Sequence, residues 1–179
     1  MSSHILSDVA DPDELAAYLD EEFFPASDAW DDEYNELEED EREDFALSFI
    51  EAIWNDLAAT CEAWADETTD VDRLGATFEE LPEHGIAAVQ FADWASLDPE
   101  DGDIGGVMTA DQAIDRLELG EIELAIYFTS FEDGREAEVA RTVVDTLKNN
   151  GLNASWDGSV DSAIMVPLLW RPHIEPLEG

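Results

Sequence analysis

The chain has 179 residues, with 47 Asp and Glu against 7 Lys and Arg, a formal net charge of -40, and 45 % hydrophobic residues including six Trp and eight Phe. That length and apolar content suit one domain, or one with a helical extension, needing no disulfide or metal staple, and they exclude a disordered chain. A phosphate-backbone binder needs clustered Lys or Arg, which are missing, so direct nucleic-acid binding is excluded as well.

Self-repulsion at a charge of -40 strains a fold at low ionic strength, whereas multimolar salt shortens the Debye length to a few ångströms. The simplest account is a salt-adapted protein whose solvent K+ and Na+ act as non-specific counter-ions. No stretch approaches 18 apolar residues and no basic-then-apolar leader opens the chain, so a cytoplasmic, soluble, non-membrane protein is expected. Cys61 stands alone in the helical series Ile50, Ile53, Leu57, Cys61. It reads as a small buried hydrophobe.

In chain order, "DPDELAAYLDEEFF" offers an Asp11 cap, Pro12 at the first helical position and Glu14 three residues after the cap, a helix to about Phe24. "DDEYNELEEDERED" has ten acidic residues in fourteen and reads as a solvated linker or helix start. From about 40 to 65, Phe45, Phe49, Ile50, Ile53, Trp54, Leu57, Cys61 and Trp64 recur at helical intervals. Val71, Leu74, Phe78 and Leu81 predict a helix ending near Pro82 to Gly85, and "IAAVQF" a strand over 86–91.

"IGGVM" is a short strand whose glycines leave room for a bulge or a close backbone approach. "TADQAIDRLELG" has the capping pattern Thr109 to Gln112 and predicts a helix over 109–119. "EIELAIYFTSF" is the strongest strand, central and apolar enough to be covered on both sides. "DGREAEVARTVVDTLKNNG" is a helix stopped by Gly151. Strands at 152–156 and 163–170, joined by "DGSVDS", form an expected antiparallel hairpin in which Pro167 demands an edge or a bulge.

"DGDIGG" at 101–106 begins like a calcium loop, but Gly105 and Gln112 occupy two places where anionic ligands belong, so it reads as a turn. His4, His84 and His173 are isolated and suggest no zinc site. No cofactor or metal is indicated, and no G-x-S-x-G elbow is present.

The segments "FEELPEHGIAAVQ", "TADQAIDRLELGEIELAIYF" and "VARTVVDTLKNNGLNASWDGSVDSAIMVPLLW" resemble a family of bacterial and archaeal proteins known as domain of unknown function 6891, over about residues 70–171. The closing "GL" to "WDG" spacing and Trp170 followed by Arg171 are the most specific features. The resemblance, with the acidity, suggests a halophilic, archaeon-like source. Members often have cysteines after the "GI" strand; this chain has none there, which removes the basis for a shared metal or thiol site. The resemblance implies a domain boundary and no activity.

The expected architecture is α+β, a mixed sheet of four or five strands with packed helices and an N-terminal helical extension, divided into N-terminal helices over 1–69 and an α+β domain over 70–179. If the strands flanking the helix at 109–119 are parallel neighbours, that crossover is right-handed. The leading functional expectation is a non-enzymatic protein acting through contacts with another protein or with itself, at Trp156, Asp157, Trp170 and Arg171. The competing one is a hydrolase or small-ligand enzyme with His84, Asp93, Asp101 and Asp157 gathered at strand ends.

Overall fold

The computed structural model describes residues 12–19, 34, 36–98, 100 and 102–177. Two units emerge, one of residues 1–65 with 173–179 and one of residues 66–172. In the first, α1 (Pro12–Tyr18) packs on the long helix α2 (Glu39–Cys61). The Glu38 N–H donates to Glu41 Oε2 at 3.0 Å, satisfying a donor at the start of α2. Leu15, Ala16, Leu19, Tyr34, Ala46 and Ile50 form the core of this unit, and Phe45, Phe49, Ile53, Trp54 and Leu57 pack around it.

The tail of the chain completes that core. Ile174 packs against it, the Trp54 Nε1–H donates to the Glu175 carbonyl at 2.8 Å, and the Leu177 N–H donates to Asn55 Oδ1 at 3.1 Å. Cys61 is buried, which pushes its thiol pKa up and keeps the sulfur protonated. The Asp11 cap and a helix end near Phe24 lie outside the described residues.

The second unit is an α+β fold with a mixed sheet of four strands, β1 (Ile86–Ala92), β2 (Gly105–Ala110), β3 (Gly120–Ser130) and β4 (Ile164–Trp170), in spatial order 1-2-3-4. β1 and β2 are parallel, joined by residues 93–104; β2–β3 and β3–β4 are antiparallel. Helices α3 (Asp70–Glu80) and α4 (Glu136–Asn149) pack together and against the sheet. Alternation along the strands turns Val107, Leu124, Ile126, Ile164, Val166 and Leu168 inward, all buried. Helix residues Leu74, Phe78, Val139, Ala140, Val143 and Leu147 are buried with them.

Three expectations are corrected. The segment 109–119 is no α-helix: β2 runs to Ala110, and residues Asp111–Arg116 form a 3-10 helix. Thr109 is buried in the strand, and its Oγ1 accepts the Phe91 N–H at 2.7 Å instead of capping a helix. Phe91 has φ 50°, where the register of β1 slips between Val89 and Ala92, so the hydroxyl satisfies a donor released by a bulge. Since β2 and β3 are antiparallel, the conditional crossover through 109–119 does not arise.

The terminal hairpin is also absent. Residues 152–156 make a single antiparallel bridge, Ser155 with Met165, while β4 pairs with β3 along its whole length. Six residues of "DGSVDS" turn back without enough strand on their N-terminal side to form a ladder. Finally, β3 is inner but covered on one face only: Leu124 and Ile126 are buried, whereas Tyr127 is 43 % exposed.

The glycines of "IGGVM" serve a close approach. A Cβ on Gly105 would collide with the Thr129 carbonyl oxygen across the β2–β3 ladder and lie 2.7 Å from Val139 Cγ2 of α4. β4, one of the two edge strands, is closed along its outer side. The Met165 N–H donates to the Ser155 carbonyl at 2.9 Å, Pro167 has no N–H, and the Leu169 N–H donates to Asp70 Oδ2 at 2.9 Å.

Candidate functional site

Trp170 belongs to the core: it is 1 % exposed and meets Phe91 edge to face, with ring centroids 6.0 Å apart. It therefore cannot contribute to an exposed tryptophan patch. Trp156 is half-buried, edge to face with Phe128 at 5.8 Å, and its Nε1–H donates to the Ser159 carbonyl at 2.8 Å. Arg171 faces Glu67 at 3.7 Å. Of the four residues, Asp157 alone is fully exposed, and it is engaged within its own loop.

That loop is a closed network. Asp157 Oδ1 accepts the Ser159 N–H at 2.8 Å and Oδ2 accepts the Ser162 hydroxyl at 3.0 Å, while Gly158 takes φ 90°. These bonds to the charged form hold the Asp157 carboxyl below its ordinary pKa. A cavity of about 550 Å³ lies here, lined by Ser155, Trp156, Asp157, Ser162, Ala163 and Met165.

His84 and Asp93, of the alternative site, do not line that cavity. His84 ends the 3-10 helix after α3 and sits 3.5 Å from Glu80 Oε1. Asp93 Oδ1 accepts the Ala95 N–H at 2.7 Å, capping the 3-10 turn at Trp94–Ser96. Asp101 lies outside the described residues, and with it the first place of the calcium-like loop. Glu80 has its pKa lowered by the Asn150 amide, at 2.9 Å, and by His84, a link that ties the end of α3 to the end of α4. Among the described residues no group of three His, Cys, Asp or Glu is placed to hold a metal ion, and no helix is long and apolar enough to cross a membrane.

A different place emerges on the uncovered face of the sheet. Glu123, Ala125 and Tyr127 alternate with the buried Leu124 and Ile126, so they share the outer face of β3. Met165 is the register partner of Ala125 and shares that face. The 3-10 helix Asp111–Arg116, which packs against β1 and β2, supplies Gln112, Ala113 and Arg116 to a cleft of about 330 Å³ that Ala125, Tyr127 and Met165 also line. Its lining is mixed, with Ala110, Leu117, Ile122, Ala125 and Met165 apolar and Arg116, Gln112, Glu123 and Tyr127 polar.

The cleft brings one cation, Arg116, and one carboxylate, Glu123, to the same lining. Arg73 is paired with Asp70 at 2.7 Å, Arg135 with Glu132 and Glu138, and Arg171 with Glu67, while Arg42 lies over the Tyr34 ring at 5.1 Å. Arg116 is exposed and makes no ion pair with any described residue. The cleft can hold an apolar group beside an anion. The residues that form it were missed because a helix over 109–119 was expected, and a helix there would turn Ala113, Ile114 and Leu117 inward. The available signal was the string Glu123, Ala125, Tyr127, too polar at one end for a face buried by helices.

A family model described as "Domain of unknown function (DUF6891)" matches residues 2–173, so the match reaches well to the N-terminal side of residue 70. No curated protein and no solved structure matches the chain.

Proposed function

We propose that the chain, which belongs to the DUF6891 family, is a non-enzymatic, salt-adapted cytoplasmic protein that acts through protein–protein contacts on the uncovered sheet face around Tyr127. One observation supports this above the others: a tyrosine 43 % exposed on an inner strand, beside Arg116 and Met165 in one cleft. Tyr, Met and Arg are enriched where protein surfaces meet, because they bury large area around few flexible bonds or offer forked donors. The formal charge of -40 supports the salt reading, with K+ and Na+ screening the acidic surface.

A hydrolase at the 550 Å³ cavity is the weaker reading. Asp157 is held ionised by its bonds to Ser159 and Ser162, and a carboxylate with a lowered pKa is a poor general base.

The test places a photo-crosslinking amino acid at position 127 and, as control, at the exposed position 145 on α4. Cells are irradiated before lysis in multimolar KCl. A discrete protein adduct at 127, absent at 145 and lost with a Met165→Asp change, is the expected result. Equal labelling at both positions, or none at 127, refutes the reading. The salt reading predicts a melting temperature that climbs as KCl is raised from about 0.1 M to about 1 M, across which the Debye length falls from ~10 Å to ~3 Å. A flat curve would remove it.

A further inference from the structure

We infer that the cleft beside Tyr127 receives the free C-terminal carboxylate of a partner polypeptide, Arg116 and Gln112 holding the carboxylate while the apolar part of the lining takes the last side chain. This rests on the reading of the uncovered sheet face as the contact surface, and it names what that surface recognises.

Charge complementarity is the first support. Most arginines of this chain already have an acidic or aromatic neighbour, but Arg116 is exposed and lines a cavity without an ion pair among the described residues. A guanidinium fork matches a carboxylate through two parallel N–H bonds, and the Gln112 amide adds a neutral donor at the same lining. The remaining lining tells which carboxylate. Acidic side chains are abundant on salt-adapted proteins, so an arginine reading those alone would not discriminate between partners. Here the cation shares its cleft with the apolar side chains of Ala110, Leu117, Ala125 and Met165. A chain terminus presents a carboxylate and an apolar side chain on the same residue.

Size and topology agree. At about 330 Å³ the cleft is at the small end of ligand sites, room for a terminal residue or two and too little for a helix. Of the two sheet edges, β4, the one beside the cleft, is closed to strand addition by the Ser155–Met165 bridge, Pro167 and the Asp70 carboxylate on the Leu169 N–H. Glu123 in the same lining repels a ligand with further acidic groups, so the residue before the terminus is expected to be neutral or basic.

The test titrates the full chain, labelled with ¹⁵N, with the peptide acetyl-Ala-Ala-Val-Leu as free acid and as C-terminal amide. The expected result is shifts of the Ala125 and Tyr127 amides with the free acid, about tenfold weaker binding of the amide, and Arg116→Gln reducing the free acid to the level of the amide. Arg116→Lys, which keeps the charge and loses the fork, is expected between the two. Equal binding of acid and amide, or no shift with either peptide, overturns the inference. So does concentration-dependent self-association at these same amides, which would make a second copy the occupant. A position-127 adduct combined with a failed peptide titration leaves the contact surface standing and removes only the terminus; loss of the adduct removes both.

Discussion

Replacing Gly105 by Ala adds one methyl group at the most crowded place in the sheet. The new Cβ would collide with the Thr129 carbonyl oxygen and stand 2.7 Å from Val139 Cγ2 and 3.3 Å from Ser130 Cα. Two of these neighbours are backbone atoms of β3, held by the ladder, and the third belongs to α4. None is the end of a long side chain, so relief requires separating β2 from β3 or lifting the helix. Overpacking typically costs about 1–3 kcal/mol, and a clash with backbone belongs at the upper end, about 3 kcal/mol. Gly106→Ala is the internal control. Its Cβ meets Leu97 Cδ1 at 2.9 Å, a terminal methyl that can rotate away, and the lower unfolded-state entropy of Ala offsets part of the strain, leaving a net cost within about 1 kcal/mol. For a chain of this size 3 kcal/mol lowers the melting temperature by roughly 6–12 °C. Calorimetry in multimolar KCl and urea melts would measure both variants. Equal losses at 105 and 106 would refute the claim that contact with backbone, rather than loss of glycine as such, sets the cost.

Asp70→Ala removes the acceptor of the Leu169 N–H and the partner of Arg73, and should cost about 1–2 kcal/mol in urea melts while promoting aggregation through the opened edge of β4. Thr109→Val keeps the volume but strands the Phe91 N–H at the bulge; a loss of about 1–3 kcal/mol is expected, with faster amide exchange at Phe91, and a neutral result would mean that water satisfies the donor. Asp157 has a lowered folded-state pKa, so its contribution is full above the unfolded value of about 3.9 and disappears as pH falls through the folded value. Asp157→Asn should therefore flatten the acid limb of stability against pH below about 4; an unchanged limb would show that the loop bonds do not depend on charge.

Most of the architecture was legible in the residues because helix and strand periods differ. The stripe from Phe45 to Trp64 and the alternation from Ile122 to Phe128 have unambiguous spacing, and the observed α2 and β3 follow them. The segment from Thr109 to Leu117 misled because a Thr followed three residues later by Gln resembles a helix start, while the real role of Thr109 is fixed by Phe91, eighteen positions away. A bond of that range leaves no local trace. The 152–156 segment failed for a related reason: alternation qualifies it as a strand, but Ile164 to Trp170 pairs with β3 and leaves it one bridge. Among the site candidates, Trp170 was read as surface from its place at the end of a strand, when what buries it is the ring of Phe91 on β1.

The return of the chain to its first unit has a consequence for biosynthesis. Ile174 packs on a core begun by Leu15 and Ile50, and the backbone of Glu175 and Leu177 bonds to α2, so α1 and α2 leave the ribosome more than a hundred residues before these partners. Domains that close early protect themselves during translation, whereas this helical pair must wait with apolar surface uncovered until the sheet has been made. At a synthesis rate of ~5–20 residues per second, that interval is on the order of ten seconds. The ten acidic residues packed into positions 31–44 adjoin the waiting surface in sequence. In the salt that screens long-range repulsion, such a run offers the waiting chain the strong local hydration of its carboxylates.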